Sequence, residues 1–191
     1  MIRLFNKICL IGGGAFSTQL LQDIDHFKYQ ISFNNKKIFL SSFYTMDSRE
    51  LQPDTKHLYL ITVAKPNVKE KIFNQLDGFN FLDTFFIDSS VSKSITYGKN
   101  LIIWKSFVGN NVIFKNNIYV GPYSIIAKNS VIEDNVSIYP RVSILKNTHI
   151  KKNTVIGTNV VITDNVVIGE NCSIGSNKTI YENVPDNSIV F

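Results

Sequence analysis

The chain has 191 residues, enough for one ordinary domain or two small ones, with 44% hydrophobic and 18% charged residues. That composition excludes a disordered chain, and no apolar run approaches the roughly 18 residues of a membrane helix. The net charge of +5 is spread over both halves without an arginine-rich block, which argues against a nucleic-acid partner.

Residues 7–11 (Lys-Ile-Cys-Leu-Ile) predict a buried strand. The start of the chain lacks the long apolar core and small-residue cleavage site of a signal peptide. Cys9 and Cys172 stand far apart among apolar neighbours, as buried thiols in a reducing compartment would, so a cytoplasmic location is expected. Gly12, Gly13 and Gly14 follow the strand at once, and residues 15–24 carry helical spacing through Leu20, Leu21 and Ile24. Strand, glycine turn and helix open a doubly wound α/β unit, where bare N–H groups at a helix start can cradle a phosphate. The match to the dinucleotide fingerprint is partial, since Ser17 holds the third glycine place, and a purely structural turn accounts for the glycines equally well.

Residues 37–40 and 57–64 predict further strands. Pro66 opens a helix with Val68, Ile72 and Leu76 spaced by four, and residues 83–88 predict the strand that hands over to the second half. The organisation expected is a small α/β Rossmann-like domain over 1–88 followed by an all-β domain over 89–191.

The second half is built on a period of six. Stepping from Val108 gives Phe114, Val120, Ile126, Ile132, Ile138, Ile144, Ile150, Ile156, Ile162, Ile168, Ile174 and Ile180, all apolar, and Ile102 is a candidate for one step earlier. Asparagine fills the fourth place of eleven hexads, from Asn111 to Asn183; Tyr123 and Arg141 are the exceptions. The fifth place is mostly small or β-branched. The pattern predicts a short strand and a corner, repeated, with isoleucine inward and asparagine in a left-handed corner stacked on its copies. No hexad buries its own apolar face, so stability must come from stacking in a parallel β-helix.

This pattern resembles the left-handed β-helix of hexapeptide-repeat transferases, in which three hexads make one coil; thirteen hexads then imply a little over four coils. The domain order is similar to that of the sialic-acid O-acetyltransferase and bacillosamine-pathway N-acetyltransferase (NeuD/PglD-type) family. The local carriers are K-I-C-L-I-G-G-G near the start, F-I-D-S-S-V-S-K-S-I at the junction and V-I-G-E-N-C-S-I-G-S-N-K-T-I-Y-E-N-V-P near the end. The resemblance implies an acetyltransferase in surface-glycan biosynthesis, a homotrimer with acetyl-CoA in the groove between two β-helices, and a sugar or nucleotide sugar held by Gly12, Gly13 and Gly14.

Acyl transfer to an amine or hydroxyl needs a base and an oxyanion donor. Aligned without gaps, the family's catalytic histidine falls on Lys128, its oxyanion glycine on Lys146 and a second histidine on Ser137. Lys128 can act as a base only if burial or like charge lowers its pKa, and Lys146 one coil away supplies such a charge; otherwise the two are plain solvated surface lysines. His149, at the outward sixth place of its hexad, is a candidate relocated base, or a plain exposed histidine. Asp134 is a third candidate, or an ordinary corner residue. Lys146, Gly157, Gly169 and Gly175 are candidates to line the coenzyme groove, though the glycines also suit tight corners. Cysteines and histidines are too scattered for metal-ligand spacing, so no metal site is expected. The alternative to an active enzyme is an inactive member that binds a nucleotide sugar or scaffolds a biosynthetic partner.

Overall fold

The computed structural model describes residues 7–12, 29–33, 36–37, 43–46, 57–63, 65–76 and 78–191. The predicted helix over 15–24, Gly13, Gly14 and residues 38–40 lie outside them.

Three strands of the first half, β1 (Lys7–Ile11), β4 (Phe43–Met46) and β5 (His57–Ile61), form a parallel sheet in the order β4-β1-β5. The strand at 43–46 was not anticipated: its sequence, Phe-Tyr-Thr-Met, carries no alternation. Cys9 to Ile11 and Leu58 to Ile61 are buried, as near-continuous apolar runs in a parallel sheet should be. Helix α1 (Pro66–Gln75) begins on its proline, whose missing N–H costs nothing there. Its buried face is Lys69, Ile72 and Leu76, whereas Val68 is 36% exposed. The spacing-by-four reading therefore chose the wrong first member, because the helix packs through positions three and seven apart and a lysine occupies the first of them.

β2 (Tyr29–Phe33) and β3 (Lys36–Lys37) form an antiparallel pair, and β2 also runs antiparallel to β6 (Thr84–Ile87). β6 in turn pairs in parallel with β8 (Leu101–Trp104), so this strand is shared by the first half and the solenoid.

From there the chain coils through three parallel sheets in strict rotation. The first wall stacks β6, β8, β11 (Ile118–Val120), β14 (Ser137–Ile138), β17 (Val155–Ile156), β20 (Ser173–Ile174) and β22 (Ile189–Val190). The second wall stacks β7 (Ser90–Val91), β9 (Phe107–Val108), β12 (Ile125–Ile126), β15 (Ser143–Ile144), β18 (Val161–Ile162) and β21 (Thr179–Ile180). The third wall stacks β10 (Ile113–Phe114), β13 (Val131–Ile132), β16 (His149–Ile150) and β19 (Val167–Ile168).

The isoleucine column is buried throughout, and the fifth-place residues Ser124, Ser130, Val136, Thr148, Thr154, Val160 and Cys172 are buried beside it. The corner asparagines have the expected left-handed backbone, with φ near +60° from Asn111 to Asn177. Their side chains form ladders. Along the corner from third to first wall, Asn100, Asn117, Asn135, Asn153 and Asn171 each donate Nδ2 to Oδ1 of the next, ending on Asn187, at 2.6–3.2 Å. Replacing Asn135 by alanine removes two rungs and places a Cβ residue at φ +61° without the local bonding that asparagine offers. A loss of about 2–3 kcal/mol in urea unfolding is expected; an unchanged midpoint would dismiss the ladder as a source of stability.

The solenoid has about six coils, not a little over four. The extra coils escape the hexad pattern because their lengths differ. Coil-to-coil pairing joins residues 17 apart at the start (Phe85 with Ile102), 18 in the middle (Ile138 with Ile156) and 16 at the end (Ile174 with Val190). Two assignments shift with this. Ile102 does not start the inward column: Leu101 and Ile103 point into the core, while Ile102 faces a cavity described below. Asn183 is not a left-handed corner; its Oδ1 accepts from Val167 N at 2.7 Å, and the next left-handed corner is Asn187 at φ +61°, stacked on Asn171.

Candidate functional site

The first feature lies where the two halves meet. β1 and β5 end side by side at Gly12 and Thr62, and the chain ends of a parallel sheet are where α/β ligands bind. Gly12 holds φ +145°, which a side chain would resist. Thr62 ties the two strand ends together, donating both N–H and Oγ1 to Ile11 O at 3.0 Å. Beyond them lies a mainly apolar cavity of about 200 Å³, lined by Ile61, Thr62 and Val63 and, from the first wall, by Ile102, Tyr119 and Tyr139 with Pro140. Burial, then the neighbouring Tyr139, raises the Tyr119 phenol well above its ordinary pKa, so it stays protonated and keeps its donor.

The second feature is Lys69, on the buried face of α1. Its Nζ donates to Val136 O at 3.0 Å and Ser137 Oγ at 2.9 Å, 67 and 68 residues away. Burial pushes its pKa from 10.5 down to about 7. Ser137 is the place that the resemblance gives to a second histidine; here it serves as an anchor between helix and solenoid. Sequence reasoning missed Lys69. The signal was the helix face itself, since Ile72 and Leu76 demand a third buried residue at 68 or 69.

The third feature is on the third wall. His149 Nε2 lies 2.6 Å from Glu133 Oε1, with both side chains part-exposed. Glu133 Oε2 also accepts from Lys152 N at 3.1 Å, which fixes the carboxylate. In the neutral tautomer that donates Nε2–H to the carboxylate, Nδ1 carries the lone pair and faces another partner as an acceptor. Glu133 was not singled out from sequence. Its signal was positional: a glutamate 16 residues before a histidine, in 18-residue coils, falls beside it one coil back.

The other sequence-derived candidates are placed as follows. Asp134 Oδ1 accepts from Asn116 N at 2.8 Å and Asn116 Nδ2 at 3.0 Å, a corner role. Lys128 is exposed at the corner between second and third walls. Lys146, one coil on, pairs with Asp164 through Nζ at 3.3 Å, and its backbone N–H also goes to that carboxylate at 3.1 Å. The like-charge stack of Lys128 and Lys146 is thus answered by an aspartate on the next coil. Gly157, Gly169 and Gly175 donate their N–H groups to Ile174, Val184 and Val190 carbonyls at 2.7–2.8 Å, so these donors are spent within the solenoid. A Cβ on Gly157 would stand 2.7 Å from Ile174 O and Ser176 N, which explains the glycine by close approach of the next coil. Lys128 and Lys146 flank one edge of the third wall, His149 stands on it, and Glu133 and Asp134 lie at its other edge. The cavity opens on the first wall, so one chain does not bring the dyad and the cavity onto the same face.

Among the described residues no group of three metal-ligating side chains occurs, and no helix is long and apolar enough to cross a membrane.

The bacterial transferase hexapeptide (six repeats) family matches residues 129–164 and, one coil on, 147–182. These coils are therefore similar to hexapeptide repeats of the bacterial transferase type. The chain also shares its fold with solved acetyltransferases. The acetyltransferase domain of PglB from Neisseria gonorrhoeae, solved with acetyl coenzyme A, is 18% identical with a TM-score of 0.79, over 96% of this chain and 95% of that one. WeeI from Acinetobacter baumannii is 18% identical with a TM-score of 0.60, over 95% and 94%. A histidine-to-alanine mutant of GDP-perosamine N-acetyl transferase from Caulobacter crescentus, solved with CoA and GDP-perosamine, is 10% identical with a TM-score of 0.64, over 97% and 93%. No curated protein sequence matches the chain.

Proposed function

We propose that the protein is an acetyl-CoA-dependent acetyltransferase acting on an amine or hydroxyl of a sugar or nucleotide sugar, with His149 as general base. The observation that carries this reading is the 2.6 Å contact between His149 Nε2 and Glu133 Oε1 on the outer face of a hexapeptide-repeat solenoid. Support comes from the shared fold with the PglB domain and with GDP-perosamine N-acetyl transferase, whose structures hold acetyl coenzyme A, or CoA with GDP-perosamine.

The coenzyme supplies the activated acetyl thioester. His149 Nδ1 takes the proton from the acceptor nitrogen or oxygen as that atom attacks, and returns it to the departing thiol. Glu133 holds the ring orientation and offsets the imidazolium charge. Lys146 and Lys128, at the edge of the same wall, suit the coenzyme's phosphates as cations, and this role replaces that of base for Lys128. The small Rossmann-like first domain over 1–88 supplies the acceptor side, with Gly12 at the end of β1, next to the end of β5 that lines the apolar cavity.

The cavity and the dyad lie on different walls, so the complete site forms between copies: the third wall of one β-helix against the first domain and first wall of its neighbour. The exposed apolar side chain of Ile113 on the third wall suits such packing in a homotrimer. Light scattering at assay concentration tests this; a monomer that turns over substrate would sink the shared site.

The reading is tested by incubating the protein with acetyl-CoA and a panel of amino- and hydroxy-sugar nucleotides while following thiol release. No release with any acceptor, together with no coenzyme binding by calorimetry, overturns it. The reading of an inactive nucleotide-sugar-binding member then stands, favoured by the exposed Lys128 and the anchored Ser137 at the family's two histidine places.

A further inference from the structure

Two corners of the solenoid carry asparagine ladders, and the third breaks the rule. Asn111, Asn129, Asn147 and Asn165 form one ladder beside the longer one already described. The left-handed positions of the corner between first and second walls are, in order, Asp88, Lys105, Tyr123, Arg141, Asn159 and Asn177. Only Asn159 and Asn177 keep a rung, at 3.0 Å. Tyr123 and Arg141 hold φ +60° and +61°, a conformation that asparagine bears more easily than a bulky side chain. Both therefore forgo backbone ease and a ladder bond.

What this departure places on the surface is a stack of cation, ring and cation on successive coils. Tyr123 is 62% exposed, and Lys105 Nζ stands 6.0 Å from its ring centroid. Arg141, at the same corner one coil on, is exposed as well. Asp88 lies beyond Lys105, so the positive end of the edge is at Tyr123 and Arg141. Each of these two residues follows a proline, and Pro140, with Tyr139, lines the cavity at the ends of β1 and β5. The stack thus borders the junction of the two halves. An open aromatic face takes a flat ring by stacking, and a guanidinium beside it takes phosphate oxygens in its planar fork.

We propose that the Lys105–Tyr123–Arg141 edge is a subsite for an aromatic nucleoside diphosphate, with the base on Tyr123 and the diphosphate on Arg141 and Lys105. This deepens the proposed transferase function and rests on it for the biological source of the ligand. Both substrates of that reaction contain such a group, one in the activated sugar and one in the coenzyme.

The test uses Tyr123→Asn and Arg141→Asn, which restore the residue of the other corners. Calorimetric titrations of the full chain with UDP, GDP and coenzyme A are compared with the unaltered protein. Each variant is expected to weaken a diphosphate probe at least tenfold while its thermal midpoint stays at or above that of the unaltered chain. Weakening of UDP or GDP assigns the edge to the sugar nucleotide, and weakening of coenzyme A alone assigns it to the acyl donor. Unchanged affinity for every probe in both variants overturns the subsite, even if thiol release continues. Weakened UDP or GDP binding in a protein that neither releases thiol nor binds coenzyme A keeps the subsite and removes the transferase reading.

Discussion

His149→Ala is expected to lower kcat for thiol release by 10²- to 10⁴-fold, the range a positioned general base contributes. The coenzyme's Kd should stay within a factor of about three, because the dyad meets the reacting proton and not the coenzyme's length. Glu133→Gln separates orientation from proton transfer. The amide keeps the shape but loses the charge that steadies an imidazolium, so a fall of about tenfold or more in kcat is expected with KM little changed. Because Glu133 also accepts Lys152 N at 3.1 Å, a merely structural role would show as a lower thermal midpoint with kcat intact. Full activity in His149→Ala would remove this histidine as the base and leave the third wall without one.

The second large effect concerns pH and Lys69. The buried ammonium has a pKa of about 7 in the folded chain against 10.5 for the ordinary side chain. Below pH 7 both states hold the proton and the folded state bears the full desolvation cost. Between pH 7 and 10.5 the folded state has released the proton and the unfolded state has not, so stability rises with pH. The whole relief is on the order of 5 kcal/mol, of which more than half falls below pH 9. Lys69→Met should flatten this rise in urea unfolding series from pH 6 to pH 9. It forgoes the bonds to Val136 O and Ser137 Oγ but no longer buries a charge, so its loss of stability should be small at pH 6 and grow towards pH 9. Parallel pH profiles for the two proteins would show that Lys69 is not the titrating group. The same lysine ties α1 to the first wall, so the variant also reports how far the two halves stabilise each other.

Much of the solenoid was legible in the sequence because its contacts repeat at a fixed separation. Each inward isoleucine sees the same neighbours one coil away, and each corner needs the same left-handed residue, so composition echoes geometry at every sixth place. The coils at the two ends were not legible, because one or two residues fewer per coil destroy the phase while the backbone pairing survives. The parallel run of β1 and β5 was readable from unbroken apolar segments, but β4 was not. Its partner is β1, more than 30 residues earlier, and its own residues announce nothing.

For the candidate site the division is sharper. His149 could be placed on an outer wall from its hexad position alone. That Glu133 rather than Asp134 meets it depends on which of two adjacent corner side chains turns along the wall and which turns back to Asn116, a choice made by packing between coils. Lys69 is read from sequence as one more surface lysine; only the docking of α1 on the first wall buries it and supplies Val136 and Ser137 as acceptors. Gly157, Gly169 and Gly175 were read as lining for a coenzyme groove, and the coil-to-coil ladder takes up their N–H groups. By itself, then, the sequence determined the repeat, its phase, the inward column and the asparagine corners, all set by local geometry copied along the chain. The tertiary structure alone decided the coil count, the burial of Lys69, the partner of His149 and the separation of cavity and dyad onto different walls, because each depends on residues that meet only when distant coils or domains are packed.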